Sequence, residues 1–130
     1  MSRIVCGLQP VREAIRVHGA KLERVLVEAG TQKGRELDAL ARYATDHGAK
    51  VERVGRGDLD RVSRGIKHQG VIAFAPELDV LRLSDVTFGP NDIVVALDEL
   101  EDPQNFGAVI RSSVALGVNL VVWPEHHWPP

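Results

Sequence analysis

Apolar and polar positions switch between two periods along the chain, and the switches mark out its elements. Ile4 to Cys6 is a short extended entry, and Pro10 suits the first turn of a helix, where its missing N–H costs nothing. Val11, Ala14, Ile15 and His18 then recur at helical spacing, and Gly19 can end that helix. Val25 to Val27 is a brief run fit for a strand. A helix of about 15 residues follows, with Leu37, Leu40, Ala41 and Ala44 on one face and Gly48 at its exit. Lys50 to Val54 alternates like a half-buried strand, Asp58 can cap a short helix carrying Leu59 and Val62, and Val71 to Ala75 is a buried-strand run. The order β-α-β-α-β-α-β predicts an α/β/α sandwich over residues 1–76.

Residues 77–91 mix Pro, Gly, Ser and Asp with a few apolar residues and keep no period, so they read as a linker. The pattern restarts at Ile93 to Leu97, apolar on both faces as a central parallel strand would be. A loop over Asp98 to Asn105, a helix over Phe106 to Leu116 and a strand over Leu120 to Trp123 complete one βαβ unit. A lone two-stranded unit cannot bury both sheet faces, so residues 92–130 are expected to be the opening of a larger domain.

Composition changes this picture through its distribution. The chain of 130 residues carries 16 Lys and Arg against 18 Asp and Glu, a net charge of −2 that by itself argues against nucleic acid. Residues 1–76, however, hold 14 basic and 9 acidic side chains, whereas residues 77–130 hold 2 and 9. The near-neutral total is a cancellation between a basic piece and an acidic one. Cys6 is the only cysteine, which excludes an internal disulfide framework and suits a reducing, cytoplasmic setting. No apolar run approaches the roughly 20 residues of a membrane helix, and Arg3, Arg12, Glu13 and Arg16 interrupt the start, so neither a transmembrane segment nor a signal peptide is expected. No His, Cys and carboxylate spacing suggests a metal site, and no G-x-G-x-x-G or G-x-x-x-x-G-K-[ST] loop follows a strand.

The candidate chemistry lies between Leu97 and Trp123. Asp98 ends a parallel strand, at the edge where open α/β sheets bind ligands. Asp102 and Pro103 make a turn, Asn105 can cap the next helix, and Gly107 permits close approach in its first turn. The apolar stripe of that helix is Phe106, Val109, Ile110, Val114 and Gly117. Arg111 lies off it, between Ala108 and Ala115, with room for a flat or anionic group, or for an ion pair with Asp98, Glu99 or Asp102. In the basic piece, Arg53, Arg56, Arg61, Arg64 and Lys67 lead up to His68. They suit phosphate contact or a merely solvated face, and His68 could equally be a satisfied structural histidine. Tyr43 and Phe74 sit at core-like positions, so base stacking is not indicated.

The run from Leu97-Asp98 through Asp102-Pro103-Gln104-Asn105-Phe106-Gly107-Ala108-Val109-Ile110-Arg111-Ser112-Ser113 to Ala115-Leu116-Gly117-Val118 resembles the first motif of the SpoU/TrmH family of RNA 2'-O-ribose methyltransferases. Gly7-Leu8-Gln9-Pro10-Val11-Arg12-Glu13-Ala14-Ile15 and His68-Gln69-Gly70-Val71 resemble the two ends of the small RNA-binding domain, similar to ribosomal protein L30e, of its rRNA guanosine members. One departure is Cys6, where many members have His. The resemblance implies an L30e-like α/β/α sandwich, followed by the first βαβ unit of a SPOUT domain whose knot is absent. It implies S-adenosylmethionine as methyl donor, rRNA or alternatively tRNA as partner, and homodimers for the full-length family.

By the same resemblance, Asn105 and Arg111 stand at the catalytic pocket; Gly7, Gln9, His68 and Gln69 from its motifs, with Arg53, Arg56, Arg61, Arg64 and Lys67 from the basic charge balance, are candidate RNA-binding residues. An arginine with a pKa above about 12 is a poor base, so holding phosphate and stabilising a developing oxyanion is the role expected of Arg111. The second and third motifs and the cofactor-binding knot would lie beyond Pro130, so the chain alone is expected neither to hold the cofactor nor to methylate RNA. A non-catalytic RNA-binding module with a vestigial tail is the alternative. The ending His127-Trp128-Pro129-Pro130 departs from the family's pattern in a way that loss of one base would produce. An interrupted reading frame is therefore hypothesised, which downstream nucleotides encoding no Glu-containing motif in any frame would refute.

Overall fold

Strands β1 (Arg3–Cys6), β2 (Arg24–Glu28), β3 (Val51–Val54) and β4 (Val71–Ala75) form one sheet, connected through helices α1 (Leu8–His18), α2 (Gly34–Asp46) and α3 (Arg56–Ser63). The computed structural model describes residues 2–30 and 34–125. These belong to two compact units, Met1–Asp79 and Val80–Pro130.

In the first unit the strand order is β1-β4-β2-β3. β4 runs antiparallel to both neighbours, with Ile72 opposite Cys6 on one side and Leu26 on the other, while β2 and β3 are parallel. Because side chains alternate across a strand, each strand serves two cores. Val25, Val27, Val71, Ala73 and Ala75 face α1 and α2, where they meet Val11, Ile15, Leu37 and Leu40. Leu26 and Ile72 face the other way onto Leu59 of α3, with Ile4, Val54 and Phe74 around them. The result is a three-layer sandwich, two helices on one face and one on the other.

The helices form where apolar spacing gives them an inner face. In α2 the buried positions are Leu37, Leu40, Ala41 and Ala44, as the periodicity predicts. α3 differs at its start. Its N-cap is Gly55, whose carbonyl accepts the Asp58 N–H at 3.1 Å, and Asp58 lies inside the first turn, ion-paired with Arg61. Asp58 is therefore not the cap, because the chain leaving β3 turns into the helix three residues earlier.

In the second unit, a turn of 3₁₀ helix at Leu83–Asp85 interrupts the expected linker, and β5 (Val94–Ala96) and β6 (Leu120–Val122) pair in parallel on either side of α4 (Pro103–Ala115). The expected Asn105 cap is corrected to Asp102, whose Oδ1 accepts the Gln104 N–H at 2.9 Å. Pro103 decides this, since a proline at the first helical position starts the helix before Asn105 is reached. The inner face of α4 also differs from the expected stripe. Phe106, Val109 and Ile110 are half-buried and the Phe106 ring meets Trp123 edge-on at 5.4 Å, but Ser113 is buried while Val114 is 75% exposed. Ser113 is the only buried residue among those described in this unit. No described helix is long and apolar enough to cross a membrane. The His127 to Pro130 ending lies outside the described residues.

Candidate nucleic-acid interface

The carboxyl ends of β1, β2 and β3, the amino end of β4 and the first turns of α1, α2 and α3 all meet at one end of the first unit. In sheets with such connections this is the end at which ligands bind, and three helix N-termini add partial positive charge to it.

The tripeptide His68-Gln69-Gly70 organises this end. Gly70 donates its N–H to Nδ1 of His68 at 3.0 Å and accepts the Glu28 N–H at 2.8 Å. Its φ is +85°, and a Cβ there would stand 3.0 Å from both Glu28 Oε2 and Leu37 Cδ1, so only glycine fits. Oε1 of Gln69 accepts the Leu8 N–H at 2.9 Å and thereby caps α1 from 61 residues away. Gly7, at φ +102°, precedes that helix, donates its N–H to the Val71 carbonyl at 3.2 Å and lets the Gln69 amide pass close to its backbone. Nε2 of His68 lies 2.8 Å from Oδ1 of Asp60 on α3. One short turn thus ties α1, β2 and α3 to the start of β4.

Outside this frame lies an open cleft of about 770 Å³, lined among others by Glu28, Arg56, Asp60, Ser63, Lys67 and Gln69. Arg56 and Lys67, and Arg64 at the left-handed C-cap of α3 (φ +52°), make no hydrogen bond or ion pair among the described residues. Arg53 and Arg61 are placed differently. Arg53 points from β3 toward α2 on the same face of the sheet and pairs with Asp38 at 2.6 Å, because it shares the face of Val51; Arg61 pairs with Asp58. Gln9 is exposed in the first turn of α1. The sequence reasoning missed Asp60 and Glu28. An acid eight positions before a histidine carries no local signal, and neither does the long-range cap by Gln69.

The cleft lining includes no Phe, Tyr or Trp side chain. Tyr43 and Phe74 are half-buried and already covered by guanidinium groups, Arg12 over Tyr43 at 4.6 Å and Arg24 over Phe74 at 4.4 Å. Burial pushes the Cys6 thiol above its ordinary range, away from thiolate reactivity. No group of three metal-ligating side chains occurs among the described residues. What the described residues offer here is positive charge without a partner among them and three helix N-termini, features that suit contact with a phosphate backbone by charge and shape.

On α4, Asn105 and Arg111 are both exposed and neither has a side-chain partner among the described residues. Six residues apart, they stand about 9 Å apart along the axis and about 120° apart around it. Arg111 instead folds back over Gly107, its Nη1 3.4 Å from where a Cβ on that glycine would stand. The ion pair open to it with Asp98, Glu99 or Asp102 is not formed.

Residues 4–81 match the RNA 2'-O ribose methyltransferase substrate-binding family. The chain belongs to this family. The matched span takes in the four-stranded sheet from Ile4 of β1 onward and the His68-Gln69-Gly70 turn. Relatives extend past it. A Mycolicibacterium gilvum protein described as an uncharacterized tRNA/rRNA methyltransferase is 35% identical over 130 residues, covering 95% of this chain and 41% of that protein. The 23S rRNA (guanosine-2'-O-)-methyltransferase RlmB of Xylella fastidiosa is 35% identical over 127 residues, 93% of this chain and 50% of its own length. The crystal structure of an rRNA methyltransferase from Sinorhizobium meliloti superposes with a TM-score of 0.57 at 24% identity, over 94% of this chain and 44% of that one. The chain therefore spans half or less of the length of these relatives.

Proposed function

We propose that the first unit is the L30e-like RNA-holding part of an rRNA 2'-O-ribose methyltransferase that acts on a guanosine of 23S rRNA. The observation that carries this is the loop end, where the side chains of Arg56, Arg64 and Lys67 have no partner among the described residues around the His68-Gln69-Gly70 turn, while Arg53 and Arg61 are ion-paired. Membership of the substrate-binding family and the name of the Xylella fastidiosa relative support the choice of RNA.

Residues 92–130 then open the SPOUT catalytic domain, with S-adenosylmethionine as the donor; a second Sinorhizobium meliloti structure is named as AdoMet-bound. The described residues do not fit that cofactor. Asp102 already occupies one N–H at the start of α4 with a carboxylate, and the described residues of the unit supply a two-stranded sheet and one α-helix. The 130-residue chain is proposed to bind RNA without methylating it. The whole enzyme is proposed to be a cytoplasmic homodimer.

Binding of a fluorescein-labelled pool of 23S rRNA fragments to the 130-residue chain tests the RNA reading. With three phosphates neutralised, log K should fall against log[salt] with a slope of about −2 to −3. A slope near zero, or no binding at low salt, refutes it. In the full-length enzyme we propose that Arg111 holds the phosphate beside the reacting ribose and stabilises the developing oxyanion. Arg111→Lys keeps the charge but loses the planar fork, so turnover should fall about tenfold or more; turnover unchanged rules this role out.

A further inference from the structure

We propose that His68 is a positioning residue for RNA and not a contact: fixed in one tautomer, it fastens the Arg64–Lys67 segment to α3 and so sets where the unpaired cations stand. This rests on the RNA reading above. The His68 side chain is 11% exposed and both its ring nitrogens are taken. Nδ1 faces the Gly70 N–H at 3.0 Å, and since an N–H can only donate, Nδ1 must be the acceptor. The ring proton is then on Nε2, which donates to Asp60 Oδ1 at 2.8 Å. A phosphate oxygen could receive a hydrogen bond from this ring only by displacing Asp60.

The loop needs such a fastening. Between the last residue of α3 and the first of β4 the backbone passes through four left-handed positions, Arg64 (φ +52°), Gly65 (+87°), Gln69 (+53°) and Gly70 (+85°). Two of these are not glycine, and conformations of that kind persist only where the surroundings hold them. Near the amino end of the loop, Ile66 donates its N–H to the Ser63 carbonyl at 3.1 Å. Near the carboxyl end, His68 closes the turn twice, through Nδ1 to Gly70 and through its carbonyl to the Val71 N–H at 3.0 Å. Its link to Asp60 is the side-chain bond that joins this end back to α3. Asp60 on α3 is in contact with the ring, and the other charged groups that line the same cleft are Arg56 on α3, Glu28 on β2 and Lys67 on the loop itself.

Asp60 gives the discriminating test, because the two readings of His68 assign opposite signs to its removal. If His68 touches RNA, Asp60→Ala takes a carboxylate away from a polyanion and binding is unchanged or tighter. If His68 is a fastening, Asp60→Ala weakens binding of the 23S rRNA fragment pool about tenfold, as one lost charge-assisted hydrogen bond would, despite the gain in positive charge. His68→Ala should weaken it similarly, and the double variant no further than either alone. Asp60→Asn retains an acceptor for Nε2–H and should bind like the parent chain, which separates loss of the bond from loss of the fold. Nitrogen-15 imidazole spectra of the parent chain should show a single Nε2–H tautomer with Nδ1 as acceptor. Unchanged or tighter binding by Asp60→Ala, or an Nδ1–H tautomer, overturns the role of His68. No RNA binding by the parent chain refutes the RNA reading itself, whatever the tautomer.

Discussion

Leu59→Ala is expected to lower the unfolding free energy of the first unit by about 3 kcal/mol, within the usual range for emptying a fully buried leucine site. Leu59 is 0% exposed and is the only buried apolar side chain that α3 contributes to its layer. The two sides of the sheet are unequally provided for. On the α1 and α2 side fourteen buried residues share one cluster, whereas on the α3 side Leu59 meets two fully buried partners, Leu26 and Ile72. A cavity in the thinner layer has fewer neighbours to relax into it. A loss of this size is a large share of the roughly 5–15 kcal/mol that holds a typical domain together. Urea titration of the 130-residue chain measures it as a lower midpoint at unchanged slope. Val62→Ala, at a half-buried position in the same helix, should cost clearly less. Equal midpoints for Leu59→Ala and the parent would mean that α3 is not fastened through this residue.

Neutralising the three unpaired cations should have the largest effect on RNA. The Arg56→Gln, Arg64→Gln, Lys67→Gln triple variant is expected to lose about a hundredfold in affinity for the 23S rRNA fragment pool at moderate salt, and most of its salt dependence with it. The paired control is Arg53→Gln with Arg61→Gln. Those guanidiniums already face Asp38 and Asp58, which offset their charge before any RNA approaches, so affinity should change less than about threefold. Because all five side chains are solvent-exposed, the melting temperature should stay within about two degrees of the parent in both variants. If both variants weaken binding equally, net charge matters and the loop end does not.

Much of the first unit was legible because its elements have clean periods. Leu37, Leu40, Ala41 and Ala44 could only be one face of a helix, and Val71 to Ala75 could only be a strand buried on both sides. Strand order was not legible, since alternation of β and α does not say that β4 lies between β1 and β2 and antiparallel to both. Caps were misread where two polar candidates compete over a few residues. Asp102 and Asn105 differ by one turn, and the proline between them settles the choice only once the helix is seen to begin there. On α4, placing Val114 inside and leaving out Ser113 followed hydrophobicity, whereas the position that is buried is the small Ser113 and Val114 is left exposed. The basic residues of the candidate site were visible as a group. Which of them are free was not, because Asp38 on α2 reaches Arg53 on β3 across 15 positions.

The pairing of Arg3 with Ala75 sets a timetable for synthesis. β4 is the last strand of its unit to be made, yet it is the one against which β1 and β2 must pair. On the ribosome, at roughly 5–20 residues per second, the first strand waits several seconds for its partner. Until then only the parallel pair β2 and β3 can assemble, with the apolar faces of α1 and α2 folded against it. The His68-Gln69-Gly70 turn is built from the residues immediately before β4, so it takes shape in the same closing event that completes the sheet. A nascent chain arrested before residue 75 should accordingly show helix and no grip on RNA.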